Sequence, residues 1–126
     1  MDPQKLFSGA ATCEDVMQCF FNLNEFEISL YLNLAKDGPQ RSDTLAKKVK
    51  KDGTTVYRAL QKLISCGLCF RETKTIDRGG YYHVYSAISP GLVKKKIQDC
   101  VEQWNTSMEK ALEEFDEKFL KKAQDL

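Results

Sequence analysis

No apolar run in this sequence extends beyond a few residues, so no segment is expected to span a bilayer. The N-terminus, Met1-Asp2-Pro3-Gln4-Lys5, lacks a charged stretch leading into an apolar one, which argues against a secretory signal. Histidine occurs once, at His83, and C-x-x-C spacing once, at Cys66-Gly67-Leu68-Cys69. A structural zinc site takes about four ligands, so no metal is expected. The cysteines (Cys13, Cys19, Cys66, Cys69, Cys100) are odd in number, which excludes a fully paired disulfide framework. Their pattern fits a cytoplasmic chain with reduced thiols. Phosphate-cradling glycine signatures are missing, and no nucleophile, base and orienting group stand out as a set. Neither an enzyme nor a bound cofactor is expected.

What is present is ordinary in bulk and uneven along the chain. The 126 residues suffice for about one domain with an appendage, and 42% hydrophobic with 29% charged residues matches a soluble globular protein. The net charge of +1 is a sum of unlike parts. Residues 1–38 carry two basic and six acidic side chains, residues 39–80 ten and four, and residues 81–126 seven and eight. The balances are −4, +6 and −1, so the positive excess lies in the middle third. That asymmetry points to a polyanionic partner.

The first dozen residues lack periodicity and read as a loose arm. Thr12 with Asp15 can cap a short helix over 13–21, and Asn24 with Glu27 resembles a capping box. The helix that Asn24 opens is expected to turn Ile28, Tyr31, Leu32 and Leu34-Ala35 inward before Gly38-Pro39 ends it. Ser42 is a suitable cap for a helix over 43–50, with Leu45, Ala46 and Val49 as its apolar face. After the turn Lys50-Lys51-Asp52-Gly53, Thr54 or Thr55 is expected to cap a helix over about 55–66 with Val56, Leu60, Leu63 and Ile64 inward. Two short helices around a glycine-containing turn are the helix-turn-helix plan. Residues 68–76 and 81–88 are rich in β-branched and aromatic side chains, and Asp77-Arg78-Gly79-Gly80 between them is a hairpin signal. A helix-turn-helix followed by a hairpin is a winged helix.

Beyond Ser89-Pro90-Gly91 the pattern is helical nearly to the end, with Ile97, Val101, Trp104, Met108, Ala111 and Phe115 alternating at intervals of four and three. A helix of that extent is about 45 Å long at 1.5 Å per residue, too long to pack wholly on the small domain. Its seam is expected to meet a second copy through Ile97, Val101, Trp104, Met108 and Phe115. Asn105-Thr106-Ser107, without Gly or Pro, is the only place where the stretch could fold back. The acidic run 113–117 with Lys118, Lys121 and Lys122 reads as i,i+4 pairing along an exposed helix. The expected fold is therefore mainly α with a small β-hairpin, a winged helix-turn-helix plus a long C-terminal dimerisation helix. Its parts are an arm and short helix over 1–22, a DNA-binding winged helix over 23–89 and the dimerisation helix over 90–126.

Residues 23–97 resemble the DNA-binding domain of archaeal TrmB-like regulators, within the broader MarR-like winged-helix group. The matching words are Leu23-Asn24-Glu25-Phe26-Glu27, Tyr31-Leu32, Lys36-Asp37-Gly38-Pro39, Leu45-Ala46, Thr55-Val56-Tyr57-Arg58-Ala59-Leu60 with Leu63, Gly67-Leu68, and Tyr85 before Ile88-Ser89-Pro90. The resemblance implies a dimeric, sequence-specific transcription factor whose helix from about 55 reads the major groove while the hairpin touches backbone or minor groove. Full-length members of that family continue into a large sugar-binding domain, whereas this sequence ends after one long helix. Sugar sensing is accordingly not carried over.

With the apolar residues of the second helix inward, Thr55, Arg58, Gln61 and Lys62 face outward. Arg can fork onto guanine and Gln can pair with adenine, so Arg58 is the first candidate for base readout; a solvated charge on a helix surface is its bland alternative. Tyr57 could meet a phosphate or seal the core. Arg41 and Ser42 stand where free helix N–H groups favour phosphate, although capping alone would explain Ser42. Lys51, with Lys47, Lys48 and Lys50, and Thr54 add field and donors near the turn. On the wing, expected over 69–88, Lys74 and Arg78 flank a tip thin enough for a minor groove. Cys66 and Cys69 could form a redox pair, or serve only as small hydrophobes.

The expected function is a homodimeric, sequence-specific regulator whose partners are double-stranded DNA and a second copy of itself, with no membrane. The rivals are a protein-interaction winged helix, as in an adaptor or a basal transcription component, and a thiol-sensing regulator working through Cys66 and Cys69.

Overall fold

The computed structural model describes Gly9 and residues 12–126. Most of the expected N-terminal arm lies outside these residues. The element order is α1 (Cys13–Phe21), α2 (Glu25–Asp37), α3 (Ser42–Val49), α4 (Gly53–Ser65), β1 (Cys69–Thr75), β2 (Tyr81–Ala87), α5 (Pro90–Glu113) and α6 (Phe115–Gln124). Helices with one antiparallel hairpin after a helix-turn-helix make the winged helix that the pattern predicts. Two compact units result, one ending at Pro90 and the other running from Gly91 to Leu126. No helix among the described residues is long and apolar enough to cross a membrane.

The first helices begin where side chains satisfy their free N–H groups. Asp15 N–H donates to Thr12 Oγ1 at 3.2 Å while Thr12 N–H donates to Asp15 Oδ2 at 3.0 Å. Asn24 and Glu27 make the same reciprocal pair at 2.8 and 2.9 Å. Two caps differ from expectation. Ser42 is the first residue inside α3, whose N-cap is Arg41 with no side-chain hydrogen bond. Helix α4 starts at Gly53 because Asp52 Oδ1 accepts from Thr55 N–H at 2.7 Å. A carboxylate ahead of the threonines takes the capping role and draws the helix back by two residues.

The core is built from Leu23, Ile28, Leu30, Tyr31, Leu34, Leu45, Val56, Ala59, Leu60, Leu63 and Leu68. In α2 the expected inward set is corrected: Leu30 is fully buried while Leu32 is 53% exposed and Ala35 lies outside. Helix α2 touches α1, α4 and β2. Its buried arc is therefore wider than one amphipathic stripe and is centred between Leu30 and Tyr31. In α4, Ala59 joins the buried face and Ile64 is half-buried.

The wing pairs Cys69 with Ala87, Arg71 with Tyr85 and Thr75 with Tyr81. Its tip closes with Gly79 N–H donating to Ile76 O at 3.0 Å, and Gly79 and Gly80 have φ of 93° and 90°. A side chain is strained in that left-handed region, which is why the paired glycines mark the turn. On the other side of β2, Gln40 forms an isolated antiparallel bridge to Tyr85: Gln40 N–H donates to Tyr85 O at 3.0 Å, and Tyr85 N–H to Gln40 O at 2.8 Å. Tyr31 Oη donates to Ile88 O at 2.8 Å, pinning the end of the wing to α2.

The C-terminal unit is two helices where one was expected, although the interruption is a single residue, Glu114. Glu114 N–H still donates to Lys110 O at 3.3 Å, and Lys118 N–H to Glu114 O at 3.0 Å. Glu113, Glu114, Asp116 and Glu117 crowd like charges at helical spacing, which weakens a continuous helix. An acidic first turn in turn favours a new start. Residues 105–107, considered as a bend, lie inside α5.

Candidate nucleic-acid interface

At about 100° per residue, the line on α4 opposite Val56, Ala59, Leu60 and Leu63 runs through Thr54, Arg58, Gln61 and Ser65. Thr54 and Arg58 are exposed and Gln61 is half-buried. Ser65, which the sequence reading passed over, turns its hydroxyl back onto Lys62 O at 2.7 Å and is thereby occupied. Thr55 and Lys62 fall on the flanks of this line, and Tyr57 on the flank toward the wing. Hydrogen bonds from Thr55 hold the Asp52 carboxyl below its ordinary value of 3.8, so a full negative charge sits at the start of α4.

A cleft of about 390 Å³ opens between the wing, Tyr57 and the start of α3. Arg41, Ser42 and Asp43 line it from α3, Arg71 from β1, and Tyr81, Tyr82, His83 and Tyr85 from β2. Arg41 rests on the Tyr82 ring, its guanidinium carbon 4.8 Å from the ring centre. Thr73 Oγ1 lies 3.2 Å from His83 Nδ1, and the Tyr81 and His83 rings are 5.5 Å apart. Of the residues expected from sequence, this cleft gathers Arg41, Ser42 and Tyr57. Arg71 was missed; it could have been found only from the strand register, which pairs it with Tyr85.

The remaining candidates are dispersed. Lys74 lies on the opposite face of β1 from Arg71, with its ammonium 3.2 Å from Glu72. Arg78 is exposed at the wing tip, and Lys51 is exposed in the turn before α4. Lys48 is tied to Asp37 at 3.4 Å. Cys69 is buried, which pushes its thiol up to about 12, and Cys66 directs its sulfur to Phe21 O at 3.6 Å. Among the described residues no cluster of His, Cys, Asp or Glu is arranged to hold a metal ion. In the C-terminal unit Val101, Trp104, Met108 and Phe115 are exposed, Trp104 to 59%, and Ile97 is half-buried. Phe115 stacks on Phe119 with ring centres 4.7 Å apart.

Comparison with known proteins adds three findings. Residues 17–91 match the family model described as "Sugar-specific transcriptional regulator TrmB". The uncharacterized protein MJ1503 of Methanocaldococcus jannaschii is 35% identical over 105 residues, which span 83% of this chain and 80% of that protein. Two solved structures share the fold. A possible transcriptional regulator from Methanosarcina mazei Go1 is 28% identical, with a TM-score of 0.71 over 82% of this chain and 88% of that one. The ST1889 protein of the thermoacidophilic archaeon Sulfolobus tokodaii is 23% identical, with a TM-score of 0.60 over 82% and 98%.

Proposed function

This chain belongs to the TrmB family of transcriptional regulators, and from that premise we propose that it is a homodimeric, sequence-specific DNA-binding regulator. The carrying observation is the outward line of α4, where Thr54, Arg58 and Gln61 stand opposite a fully apolar inward face. Those three side chains supply the donors and acceptors that read base edges in a major groove. They lie in the segment with ten basic and four acidic side chains, which supplies the sequence-independent attraction to phosphates. Arg78 and Lys51 contact the flanking backbone in this reading, and Arg78 reaches the adjacent minor groove. The apolar line Val101, Trp104, Met108 and Phe115, together with Ile97, joins two copies, so the operator holds two related half-sites. A thiol switch is not part of this reading, in which the buried Cys69 serves as a small hydrophobe.

Selection from a pool of random duplexes across a salt series, under reducing conditions, tests the reading. A symmetric motif is expected, with affinity falling steeply as salt rises. Arg58→Ala should lower preference for that motif by about tenfold or more while sparing non-specific binding. Weak binding with no enriched motif, unchanged in the variant, would overturn the reading in favour of a protein partner for the same basic face.

A further inference from the structure

We propose that the cleft between the wing and the start of α3 seats one phosphodiester of the DNA backbone, held between Arg71 and Arg41. The inference rests on the DNA-binding reading above and assigns that interface a site of its own. Both arginines line this one cleft. Arg71 pairs with Tyr85 from one side and Gln40 bridges Tyr85 from the other, so Arg71 and the Gln40-Arg41 segment flank the same strand. Two inter-strand spacings amount to about 10 Å, a backbone separation that two extended arginine side chains can span from the walls of the cleft. Each guanidinium offers a planar fork of donors matched to phosphate oxygens.

The cations are also available. Arg71 is exposed and has no ion-pair partner among the described residues. Arg41 is held in place by the Tyr82 ring and pairs only loosely with Asp43, at 3.8 Å, with both side chains more than half exposed. The same Asp43 oxygen accepts from Thr44 N–H at 2.8 Å, which draws its charge toward the helix. The Ser42 hydroxyl is not spent on capping, and Tyr57 also lines the cleft. The neighbouring helix start is a poor alternative for an anion, because the ionised Asp52 already fills it. The exposure of Arg41, Arg71 and Tyr81 leaves the cleft open to solvent, as suits a backbone passing through rather than an enclosed small molecule.

The test is a cycle between Arg71→Gln and neutral methylphosphonate substitutions at single backbone positions of the selected motif, read by Kd across a salt series. In the variant the slope of log K against log salt should fall by about one, with affinity reduced about tenfold and the ranking of motif sequences unchanged. At one backbone position per half-site, neutralising the phosphate should weaken the wild-type protein but not the variant. Arg71→Lys should retain the salt slope while losing part of the affinity, since the charge stays and the fork is gone. A wild-type slope in Arg71→Gln, additivity at every backbone position, or an altered motif preference would each overturn the proposal while leaving the regulator reading intact. Saturable binding of inorganic phosphate by the free protein, combined with additivity in the cycle, would reassign the cleft to a free phosphate and overturn it as well. If the wild-type protein selects no duplex, both readings fall together.

Discussion

Single side chains divide into those that solvent reaches and those that the fold withholds, and Cys69 is the clearest of the second kind. Unfolded, its thiol titrates near 9.0; folded, burial pushes it up to about 12. Below pH 9 both states keep the proton and stability is untouched by this group. Between those values the unfolded chain ionises and the folded one does not, so stability falls as pH rises, by at most ~1.4 kcal/mol per pH unit for one proton. Tyr31, raised above 10.0 by burial and then by the charge of Cys69, steepens the decline at the upper end. Denaturant unfolding followed from neutral to alkaline pH checks this, and Cys69→Val should remove the cysteine's part of the slope. Iodoacetamide should modify Cys13, Cys19 and Cys100, all exposed, well before Cys69. On the outward line of α4, Arg58 and Gln61 were legible in the sequence because helical period separates them from Leu60, whereas Thr55 and Lys62 fall on its flanks and Ser65 was passed over. Arg71 was not legible: its neighbours Tyr85 and Gln40 are fixed by strand register and an isolated bridge, neither of which leaves a local pattern.

At the scale of elements, helix ends were readable where the chemistry is local. The Thr12–Asp15 and Asn24–Glu27 boxes stand as the spacing predicts, whereas α4 starts early because Asp52 takes the cap and α3 starts at Ser42 itself, with no side-chain cap ahead of it. Which face of α2 turns inward was less readable, since three elements pack around it and no single stripe describes its burial. That difference is measurable. Leu30→Ala should cost about 2–5 kcal/mol of unfolding free energy, whereas Leu32→Ala should change it by less than about 0.5 kcal/mol. Equal costs in urea denaturation would contradict the assigned face. Asn24→Ala, which removes one half of a reciprocal cap, should fall between them at about 1 kcal/mol. Asp52→Ala should weaken the start of α4, and that contribution in the wild type should fade as pH drops below 3.8, where the unfolded carboxyl takes up a proton before the folded one.

For the whole molecule the sequence pattern yielded the order of elements and the winged helix, and it marked the C-terminal apolar line. Only the one-residue interruption at Glu114, a compromise between charges on adjacent turns, was missed. The proposed dimer carries its own reporter, because Trp104 is the sole tryptophan and sits in that line. Dilution through the dissociation range should shift its emission to longer wavelength as the indole meets water. Trp104→Glu should sediment as a monomer and bind the full operator with an affinity close to that for a half-site. A dimer that persists in this variant at micromolar concentration would place the interface elsewhere. The wing has a bearing on assembly too. Strand β2 is bonded on both sides, to β1 and to Gln40, while β1 has hydrogen-bonded neighbours on one side only among the described residues. Its open margin carries Arg71, Glu72 and Lys74 in a run of six residues ending at Thr75, so another strand laid against it would meet charge on both faces. The charged margin of the hairpin in this way works against sheet extension and amyloid-type growth.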